Sequence, residues 1–369
     1  MVPGWQVGCG RVRALCVAGA RPNFMKIKPV VDALEARGVD VQLVHTGQHY
    51  DRTMSAVFFA ELGLRTPDHW LGVASGSQAH QTAGVMTALE DLAADLDPDV
   101  IVVFGDVNST LGAALVAAKA CVPLAHVEAG LRSRDRSMPE EVNRVVVDHL
   151  SQFLFAPSPD AVENLAAEGL ADGVHLVGNV MIDTLVANLD RARRRSILAD
   201  LGLTAGAYGL VTLHRPANVD DAAVLDRLLQ ALGAVAAACP LVFPAHPRTA
   251  DRMATRKVPG GVRVTEPLGY LDFLALEASA RIVLTDSGGV QEETTYLGVP
   301  CLTLRSSTER PITVTDGTNA VVGRDPEVIV AHALRALERP PARRAPALWD
   351  GQAAGRIAAA LCGGSRRAG

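Results

Sequence analysis

The chain alternates between short apolar runs and longer stretches in which apolar residues recur every three or four positions. The short runs predict buried strands of parallel sheets, and the longer periodic stretches predict the helices that connect them. In the first half, strands are predicted in VRALCVAG, VDVQLVHTG, DVIVVFGD, VPLAHVEAG, FLFAPS and VHLVGN. In the second half, they are predicted in YGLVTLHRP, PLVFPAHP, VRVTEPLG, ARIVLTDSGG, VPCLTL and NAVVG. The pattern predicts an α/β fold with two Rossmann-like domains, each built on a parallel sheet.

A region without predicted strands, from Asn179 to Gly206, lies between the two series. We therefore expect an N-terminal domain over residues 11–178 and a C-terminal domain over residues 179–349. A last helix is predicted at about residues 350–362, in the segment GQAAGRIAAALC.

Composition narrows the class of protein. Of 369 residues, 49% are hydrophobic and 20% are charged, which is typical of a soluble globular protein with a substantial core. The net charge of −5 argues against a nucleic-acid or anionic-membrane partner. The six cysteines form no CxxC pair, which favours free thiols over disulfides. The first ten residues show no signal-peptide pattern, so a cytoplasmic location is expected.

Polar residues concentrate directly after the predicted strands, at the edge where open parallel sheets bind ligands. In the first half these residues are Arg21, Asn23, Lys26, Gln48, His49, Asp51, Asp106, Asn108, Glu128 and Arg132. In the second half they are His214, Arg215, His246, Arg248, Ser287, Gly288, Gly289, Glu309 and Arg310. Both halves are thus predicted to direct charged groups toward one ligand.

The segment LTDSGGVQEETTYLGVP (284–300) predicts a strand, a glycine turn and the start of a helix. A helix N-terminus has unpaired N–H groups and a partial positive charge, so it favours an anion. Glu292 and Glu293 are also explained by capping of this helix without any ligand. The motif alone leaves both interpretations open.

Other cofactor motifs are missing from the sequence. The first turn reads AGARPN instead of GxGxxG, which argues against a nicotinamide cofactor. There is no P-loop or HExxH motif, and His126 and Glu128 lack a third metal ligand nearby in the sequence. Neither a cofactor nor a metal is expected.

Three carboxylates are the more unusual feature. Asp106 and Glu128 follow consecutive predicted strands, and Glu140 begins the helix of the PEEVNR segment. Taken singly, each is explained by capping or by loop hydrogen bonds. Together, near cationic groups, they would suit a reaction in which one acid removes a proton and another returns it. Neighbouring carboxylates raise each other's pKa, which lets an acid and a base coexist near neutral pH.

The motifs, taken in order, resemble those of the non-hydrolysing UDP-N-acetylglucosamine 2-epimerases. They are GARPNFMKIKP, TGQHYD, FGDVNST, HVEAGLRSRDRSMPEEVNR, VGNVMID, TLHRPANVD, TDSGGVQEE and TERPITVTDGTN. The resemblance covers nearly the whole chain. It implies a GT-B-like fold with the UDP-sugar in the cleft between the domains, a last helix packed on the N-terminal domain, and a homodimer.

The resemblance also implies roles for single residues. Phosphate contacts are implied for Ser287, Gly288, Gly289, His214, Arg310, Arg21 and Lys26. Glu293 would accept hydrogen bonds from the ribose hydroxyls, and Phe273 would lie near the uracil. The implied catalytic residues are Asp106, Glu128, Glu140 and His214. Which carboxylate is the base and which is the acid stays open.

The implied reaction converts UDP-N-acetylglucosamine to UDP-N-acetylmannosamine through elimination of UDP, a 2-acetamidoglucal and readdition. The same chemistry on a 2,3-diacetamido or uronic acid UDP-sugar is an alternative, as is a hydrolysing epimerase. A GT-B glycosyltransferase and a catalytically inactive nucleotide-sugar sensor rank below these. Tyr50 stands where many bacterial members have an arginine of their allosteric site, so activation by UDP-N-acetylglucosamine is not expected.

Overall fold

A computed structural model describes residues 12–19, 21–47, 61–342 and 344–363, without the side chains of Arg21 and Pro22. The predicted site residues Gln48, His49 and Asp51, and also Tyr50, lie outside the described residues. The chain divides into two units, which we call the N-terminal unit (residues 1–184 and 347–369) and the C-terminal unit (residues 185–346).

The described part of the N-terminal unit contains a parallel sheet with the strand order β3-β2-β1-β4-β5-β6-β7. These strands are β1 (Arg13–Ala18), β2 (Asp40–His45), β3 (His69–Trp70), β4 (Val100–Phe104), β5 (Leu124–Val127), β6 (Phe153–Ala156) and β7 (Val174–Leu176). The helices are α1 (Arg21–Glu35), α2 (Gln78–Leu96), α3 (Asn108–Lys119), α4 (Pro139–Leu150), α5 (Pro159–Ala167), α6 (Val180–Arg193), which continues into the C-terminal unit, and α15 (Ala353–Gly363).

The described part of the C-terminal unit contains a second parallel sheet, with the order β10-β9-β8-β11-β12-β13. These strands are β8 (Gly209–Thr212), β9 (Leu241–Pro244), β10 (Val262–Thr265), β11 (Ile282–Thr285), β12 (Cys301–Thr303) and β13 (Asn319–Val321). The helices are α7 (Ile197–Asp200), α8 (Pro216–Val219), α9 (Ala222–Ala236), α10 (Pro247–Met253), α11 (Tyr270–Ser279), α12 (Gly288–Leu297), α13 (Ile312–Thr315) and α14 (Pro326–Glu338).

The α/β fold with two parallel sheets is confirmed, and each predicted strand is present. In β4 all five residues of VIVVF are buried, as expected for a central strand covered by helices on both faces. The two-residue strand β3 and the helix α2 were not among the predicted elements. Helix α2 is capped by Ser77, the residue before it, whose side chain accepts a hydrogen bond from the His80 N–H at 3.3 Å.

The last helix, α15, belongs to the N-terminal unit and packs against α1. Its first turn is capped from a distance, because the Asp183 carboxylate accepts hydrogen bonds from the backbone N–H groups of Ala353 (3.1 Å) and Ala354 (2.7 Å). The indole N–H of Trp349 donates to the Pro157 carbonyl at 3.0 Å. These bonds fix the last described segment of the chain to the N-terminal unit.

The described helices and cysteines bear on two expectations from the composition. No helix in the described ranges is long and apolar enough to span a membrane. All five described cysteines are free thiols, of which Cys16, Cys239 and Cys301 are buried and Cys121 is exposed.

Candidate active site

Asp106 lies directly after β4 and is held by the start of α4. Arg144 donates to one of its carboxylate oxygens through Nε (3.0 Å) and Nη2 (2.7 Å), and Asn143 donates to its backbone carbonyl at 2.8 Å. About a quarter of the Asp106 side chain (24%) remains exposed. The carboxylate is therefore fixed in position by a cation while it stays open to a substrate.

Gly105 allows Asp106 to take this position. Its φ of +64° is in the left-handed region, which strains any residue with a side chain. A Cβ at this position would come within 2.9 Å of the Lys26 ammonium and 3.2 Å of the Glu128 carboxylate. The absence of a side chain at Gly105 therefore brings Asp106, Lys26 and Glu128 close together.

Glu128 follows β5 and forms a buried ion pair with Lys26 of α1. The exposed fractions of the two side chains are only 3% and 9%. Glu128 has a φ of +75°, a conformation that is costly for a residue with a side chain and that clusters at functional sites. The strain and the buried pair together indicate a residue whose position is set by the surrounding structure.

A second layer of polar groups supports the loops that follow β4 and β5. The two ring nitrogens of His126 lie 2.6 Å from an Asp148 carboxylate oxygen and 2.8 Å from the Gly105 carbonyl. The other Asp148 oxygen accepts from the Gly130 N–H at 3.0 Å and pairs with Arg132 at 2.7 Å. Burial by itself would raise the pKa of Asp148, but the charges and hydrogen bonds of His126 and Arg132 hold that pKa below its usual range.

Of the two neighbouring glutamates in the PEEVNR segment, Glu140 is half-buried and Glu141 is buried. Glu141 accepts hydrogen bonds from the backbone N–H groups of Ser133 and Arg134, both at 2.8 Å, and pairs with Arg144 at 2.6 Å. Burial would raise the pKa of Glu141, yet these bonds lower it. Glu141 thus organises the loop, whereas Glu140, in the first turn of α4, is the more accessible of the two to a substrate.

In the C-terminal unit, Asp286 at the end of β11 organises the loop that follows β8. Its buried carboxylate accepts from the backbone N–H groups of His214 (3.1 Å) and Arg215 (3.0 Å), and from the Asn218 side chain at 3.0 Å. Burial opposes ionisation of Asp286, but the hydrogen bonds, first among them that of His214, lower its pKa. The His214 ring, 44% exposed, lies 3.1 Å from the same carboxylate.

The predicted glycine turn lies at the start of α12, as the sequence indicated. Ser287 is the residue before the helix, and Gly288 and Gly289 form its first turn. A Cβ on Gly288 would come within 2.5 Å of an Arg310 guanidinium nitrogen and 2.7 Å of a Glu309 oxygen. Arg310 is buried and paired with Glu292 (2.7 Å) and with Glu309. A fixed guanidinium therefore lies directly beside a helix N-terminus, an arrangement suited to a phosphate group.

Glu293 lies one turn further along α12 and is buried beside two groups of α11. The Tyr270 hydroxyl donates to one of its carboxylate oxygens at 3.1 Å. The Glu277 carboxyl group is its neighbour, and neither Glu277 oxygen accepts a hydrogen bond from another described group. Phe273, on the same helix as Tyr270, is half-buried and packs against the hydrophobic cluster that includes Leu276 and Val290.

Within the N-terminal unit, the structure brings together Lys26, Glu128 and the Asp106 loop; within the C-terminal unit, it brings together the glycine turn and Arg310. Sequence reasoning did not single out Arg144, Asp148, Tyr270 or Glu277. One signal was available for Glu277, because Tyr270, Leu274 and Glu277 share one helix face, so that an acid falls on an apolar stripe. No group of metal-binding side chains occurs among the described residues.

The model of the UDP-N-acetylglucosamine 2-epimerase family matches residues 32–362. A Methanocaldococcus jannaschii protein named UDP-N-acetylglucosamine 2-epimerase is 41% identical over 85% of this chain and 89% of its own length. A Pseudomonas aeruginosa protein named UDP-2,3-diacetamido-2,3-dideoxy-D-glucuronate 2-epimerase is 38% identical over 94% of this chain and 98% of its own length.

Among solved structures, the M. jannaschii UDP-GlcNAc 2-epimerase in complex with UDP-GlcNAc and UDP is similar to this chain, with a TM-score of 0.89. The two are 39% identical, and the match covers 95% of this chain and 99% of that one. The GT-B-like fold implied by the motifs is confirmed, and so is the enzyme class. The chain belongs to the UDP-N-acetylglucosamine 2-epimerase family.

Proposed function

We propose that this enzyme epimerises a UDP-2-acetamido sugar at C2 without hydrolysing it, with UDP-N-acetylglucosamine and UDP-N-acetylmannosamine as the interconverted pair. The observation that carries the proposal is the fixed set of acids in the N-terminal unit. Asp106 and Glu128 are each held by a cation at neighbouring strand ends, and both adjoin Gly105. Epimerisation requires this combination, because one group must remove a proton and another must return it.

The C-terminal unit supplies the nucleotide contacts in this proposal. The helix start at Ser287, Gly288 and Gly289 and the guanidinium of Arg310 bind the diphosphate, and His214 contributes from the neighbouring loop. These groups also stabilise the negative charge that develops on UDP as it leaves. Glu293 accepts hydrogen bonds from the ribose hydroxyls, and Phe273 lies against the uracil. From the N-terminal unit, Arg21 and Lys26 are assigned to the diphosphate region.

The proposed reaction changes the configuration at C2 and leaves the composition of the substrate unchanged. A carboxylate removes the C2 proton, the C1–O bond to UDP breaks with its electron pair, and a 2-acetamidoglucal with a C1–C2 double bond forms. Protonation at C2 on the opposite face and attack of the UDP oxygen at C1 then give the epimer. Asp106, Glu128 and Glu140 are the proposed base and acid groups.

Ion pairs fix the two acids at the strand ends of this site. The guanidinium of Arg144 holds the Asp106 carboxylate, and the ammonium group of Lys26 holds the Glu128 carboxylate. Glu140, which is half-buried at the start of α4, is the third candidate for proton transfer.

The names of the two relatives suggest two candidate sugar substrates. One relative is named for UDP-N-acetylglucosamine and the other for a diacetamido glucuronate, at 41% and 38% identity. The longer match to the second relative makes the diacetamido uronate the second candidate substrate of the same chemistry. A hydrolysing reaction, which would release the free sugar and UDP, is the other candidate outcome.

Proton NMR of the purified protein with UDP-N-acetylglucosamine in deuterium oxide tests the proposal. We expect intact UDP-sugars of both configurations, with deuterium at C2. Release of N-acetylmannosamine with UDP would show a hydrolysing enzyme. No exchange with UDP-N-acetylglucosamine, but exchange with the diacetamido uronate, would assign the second substrate. No exchange with either would overturn the proposal.

A further inference from the structure

Two acidic side chains in the C-terminal unit contact each other without a cation between them. Glu277 of α11 is 0% exposed, and Glu293 of α12 is 3% exposed. In the part of the chain that the structure describes, no lysine, arginine or histidine forms an ion pair with Glu277. Burying an unpaired carboxylate is costly, so such a group retains its proton or finds a hydrogen-bond partner. Neither Glu277 oxygen accepts a hydrogen bond from another described group. A proton on Glu277, directed toward the neighbouring Glu293 carboxylate, would satisfy both side chains.

The protonation states of the pair follow from their surroundings. Burial, reinforced by the charge of Glu293, raises the pKa of Glu277 well above its usual range. Burial also raises the pKa of Glu293, to about 7, and the nearby charge of Glu292 adds to this, while hydrogen bonds from Tyr270 and Glu277 oppose it. Above about pH 7, Glu277 is therefore the protonated donor and Glu293 is the ionised acceptor.

The geometry gives this hydrogen bond a direction. Tyr270 and Glu277 are seven residues apart on one face of α11, so both approach Glu293 from the same helix. Tyr270 donates to one Glu293 oxygen at 3.1 Å. A neutral donor at Glu277 can orient the carboxylate without neutralising it, which a lysine or arginine would do.

We propose that Glu277 is a positioning residue for ribose recognition: its carboxyl group donates a hydrogen bond to Glu293 and, together with Tyr270, fixes the Glu293 oxygens that accept the ribose hydroxyls. This inference rests on the proposed function, in which Glu293 binds the ribose. Glu277 itself, being fully buried, contacts no substrate.

A dependence of UDP binding on pH follows. Below about pH 7 Glu293 takes up a proton, and one of its oxygens no longer accepts a ribose hydroxyl. The groups that face Glu293 are Tyr270 and Glu277 from α11 and Glu292 from its own helix. Removal of the Glu277 donor takes away a hydrogen bond to the ionised form, so the pKa of Glu293 rises and the loss of binding moves to higher pH.

The test measures the affinity of wild type, Glu277→Gln and Glu277→Met for UDP by calorimetry from pH 5.5 to 8.5. A parallel series uses 2′,3′-dideoxyuridine diphosphate, which lacks the ribose hydroxyls. Since both ligands carry the same diphosphate, the difference between their affinities is free of the effect of phosphate protonation. For the wild type, we expect UDP to bind more tightly than the dideoxy compound above about pH 7. This difference in affinity should disappear as the pH falls through about 7. In Glu277→Met this midpoint should rise by about one pH unit, with up to about tenfold weaker UDP binding at neutral pH. Glu277→Gln keeps an N–H donor and should retain the midpoint of the wild type.

The outcomes separate the two proposals. If UDP does not bind, or binds no better than the dideoxy compound at any pH, the nucleotide assignment of the proposed function is wrong. If the ribose advantage exists and Glu277→Met matches the wild type, the positioning role of Glu277 is wrong and the proposed function stands. A raised midpoint in Glu277→Gln would also overturn that role.

An infrared measurement covers the case in which Glu277→Met does not fold. The spectrum of the wild type at pH 8 should contain the C=O stretch of a protonated carboxylic acid, and Glu277→Gln should lack it. If the two spectra show no such difference, Glu277 is ionised and cannot be the donor.

Discussion

Two clusters of buried acids, one in each unit of this protein, are arranged in opposite ways. In the N-terminal cluster, three acids contact cations: Asp106 contacts Arg144, Glu128 contacts Lys26, and Asp148 contacts Arg132. In the C-terminal cluster, Glu277 and Glu293 are neighbours, and the Tyr270 hydroxyl donates to Glu293. The first arrangement pairs each carboxylate with a positive charge, and the second retains a proton.

This difference assigns different tasks to the same type of side chain. An ionised carboxylate beside a cation can act as a base in proton transfer. A neutral acid beside a carboxylate can only donate a hydrogen bond, which orients its neighbour. The protein thus provides a candidate base in one unit and a candidate ribose acceptor in the other.

The difference also predicts opposite effects of pH on stability. The folded-state pKa values of Asp148 and Glu141 are lowered, so their contribution is present above their unfolded pKa values and is lost as the pH falls through the folded ones. The folded-state pKa values of Glu277 and Glu293 are raised, so the folded state binds more protons. Their contribution is largest in acid and is lost as the pH rises through the folded values.

The largest expected effect comes from breaking the buried pair in the N-terminal unit. Lys26→Met leaves Glu128 buried without its cation, which should lower the free energy of unfolding by about 3 to 5 kcal/mol. Lys28→Met on the same helix is a matched control, because the Asp32 partner of Lys28 is 54% exposed and such pairs contribute at most about 1 kcal/mol. Denaturant unfolding measures both variants.

Adding Glu128→Gln to Lys26→Met sharpens this result. The double variant no longer contains the buried carboxylate that Lys26 balanced and should regain part of the lost stability. Equal losses in the single and double variants would contradict an ion pair between the two side chains.

The next effect concerns turnover. Glu128→Gln keeps the shape of the side chain but removes its ability to take up a proton, so turnover should fall by about 100-fold or more. The affinity for UDP should change little, because Glu128 itself is assigned no nucleotide contact and Lys26 keeps its positive charge in this variant. The exchange of the C2 proton in deuterium oxide measures turnover, and calorimetry measures binding.

Glu163→Gln provides the control for this variant, since Glu163 is an exposed glutamate on α5 of the same unit. It should turn over at the rate of the wild type. Normal turnover in Glu128→Gln would remove Glu128 from the catalytic set.

The sequence predicted most of the fold because apolar runs of four to six residues mark buried parallel strands clearly. Strand β3 was missed because the two residues His69–Trp70 are too short to show any periodicity. The acids at the strand ends could also be predicted, since Asp106 and Glu128 follow consecutive strands of one sheet.

The partners of those acids could not be predicted from the sequence. Lys26 is separated from Glu128 by 102 positions, and Arg144 from Asp106 by 38. Strand order and helix packing decide such contacts, and both are properties of the folded chain. Whether an acid contacts a cation or another acid therefore follows only from the structure.

A moderate effect is expected in the pH dependence of stability. Glu277→Gln removes an acid that stays protonated in the folded state, so the stability of the variant relative to the wild type should increase as the pH rises above about 4.5. The slope should reach about 1.4 kcal/mol per pH unit where folding takes up one proton at this site. Denaturant unfolding at pH 5 and pH 8 measures this difference, and a constant difference between variant and wild type would show that Glu277 is ionised in the folded state.

The smallest effect comes from a single hydroxyl group. Tyr270→Phe removes the 3.1 Å hydrogen bond to Glu293, which should weaken UDP binding by about 1 kcal/mol, or roughly fivefold, at pH 8. Tyr208→Phe is the matched control, because the Tyr208 hydroxyl is buried in the same unit and donates to the Leu276 carbonyl at 2.6 Å. That variant should lose stability but bind UDP as the wild type does. If both variants bind UDP equally well, the Tyr270 hydroxyl does not help to orient Glu293, and the hydrogen bond from Glu277 would have to do so alone.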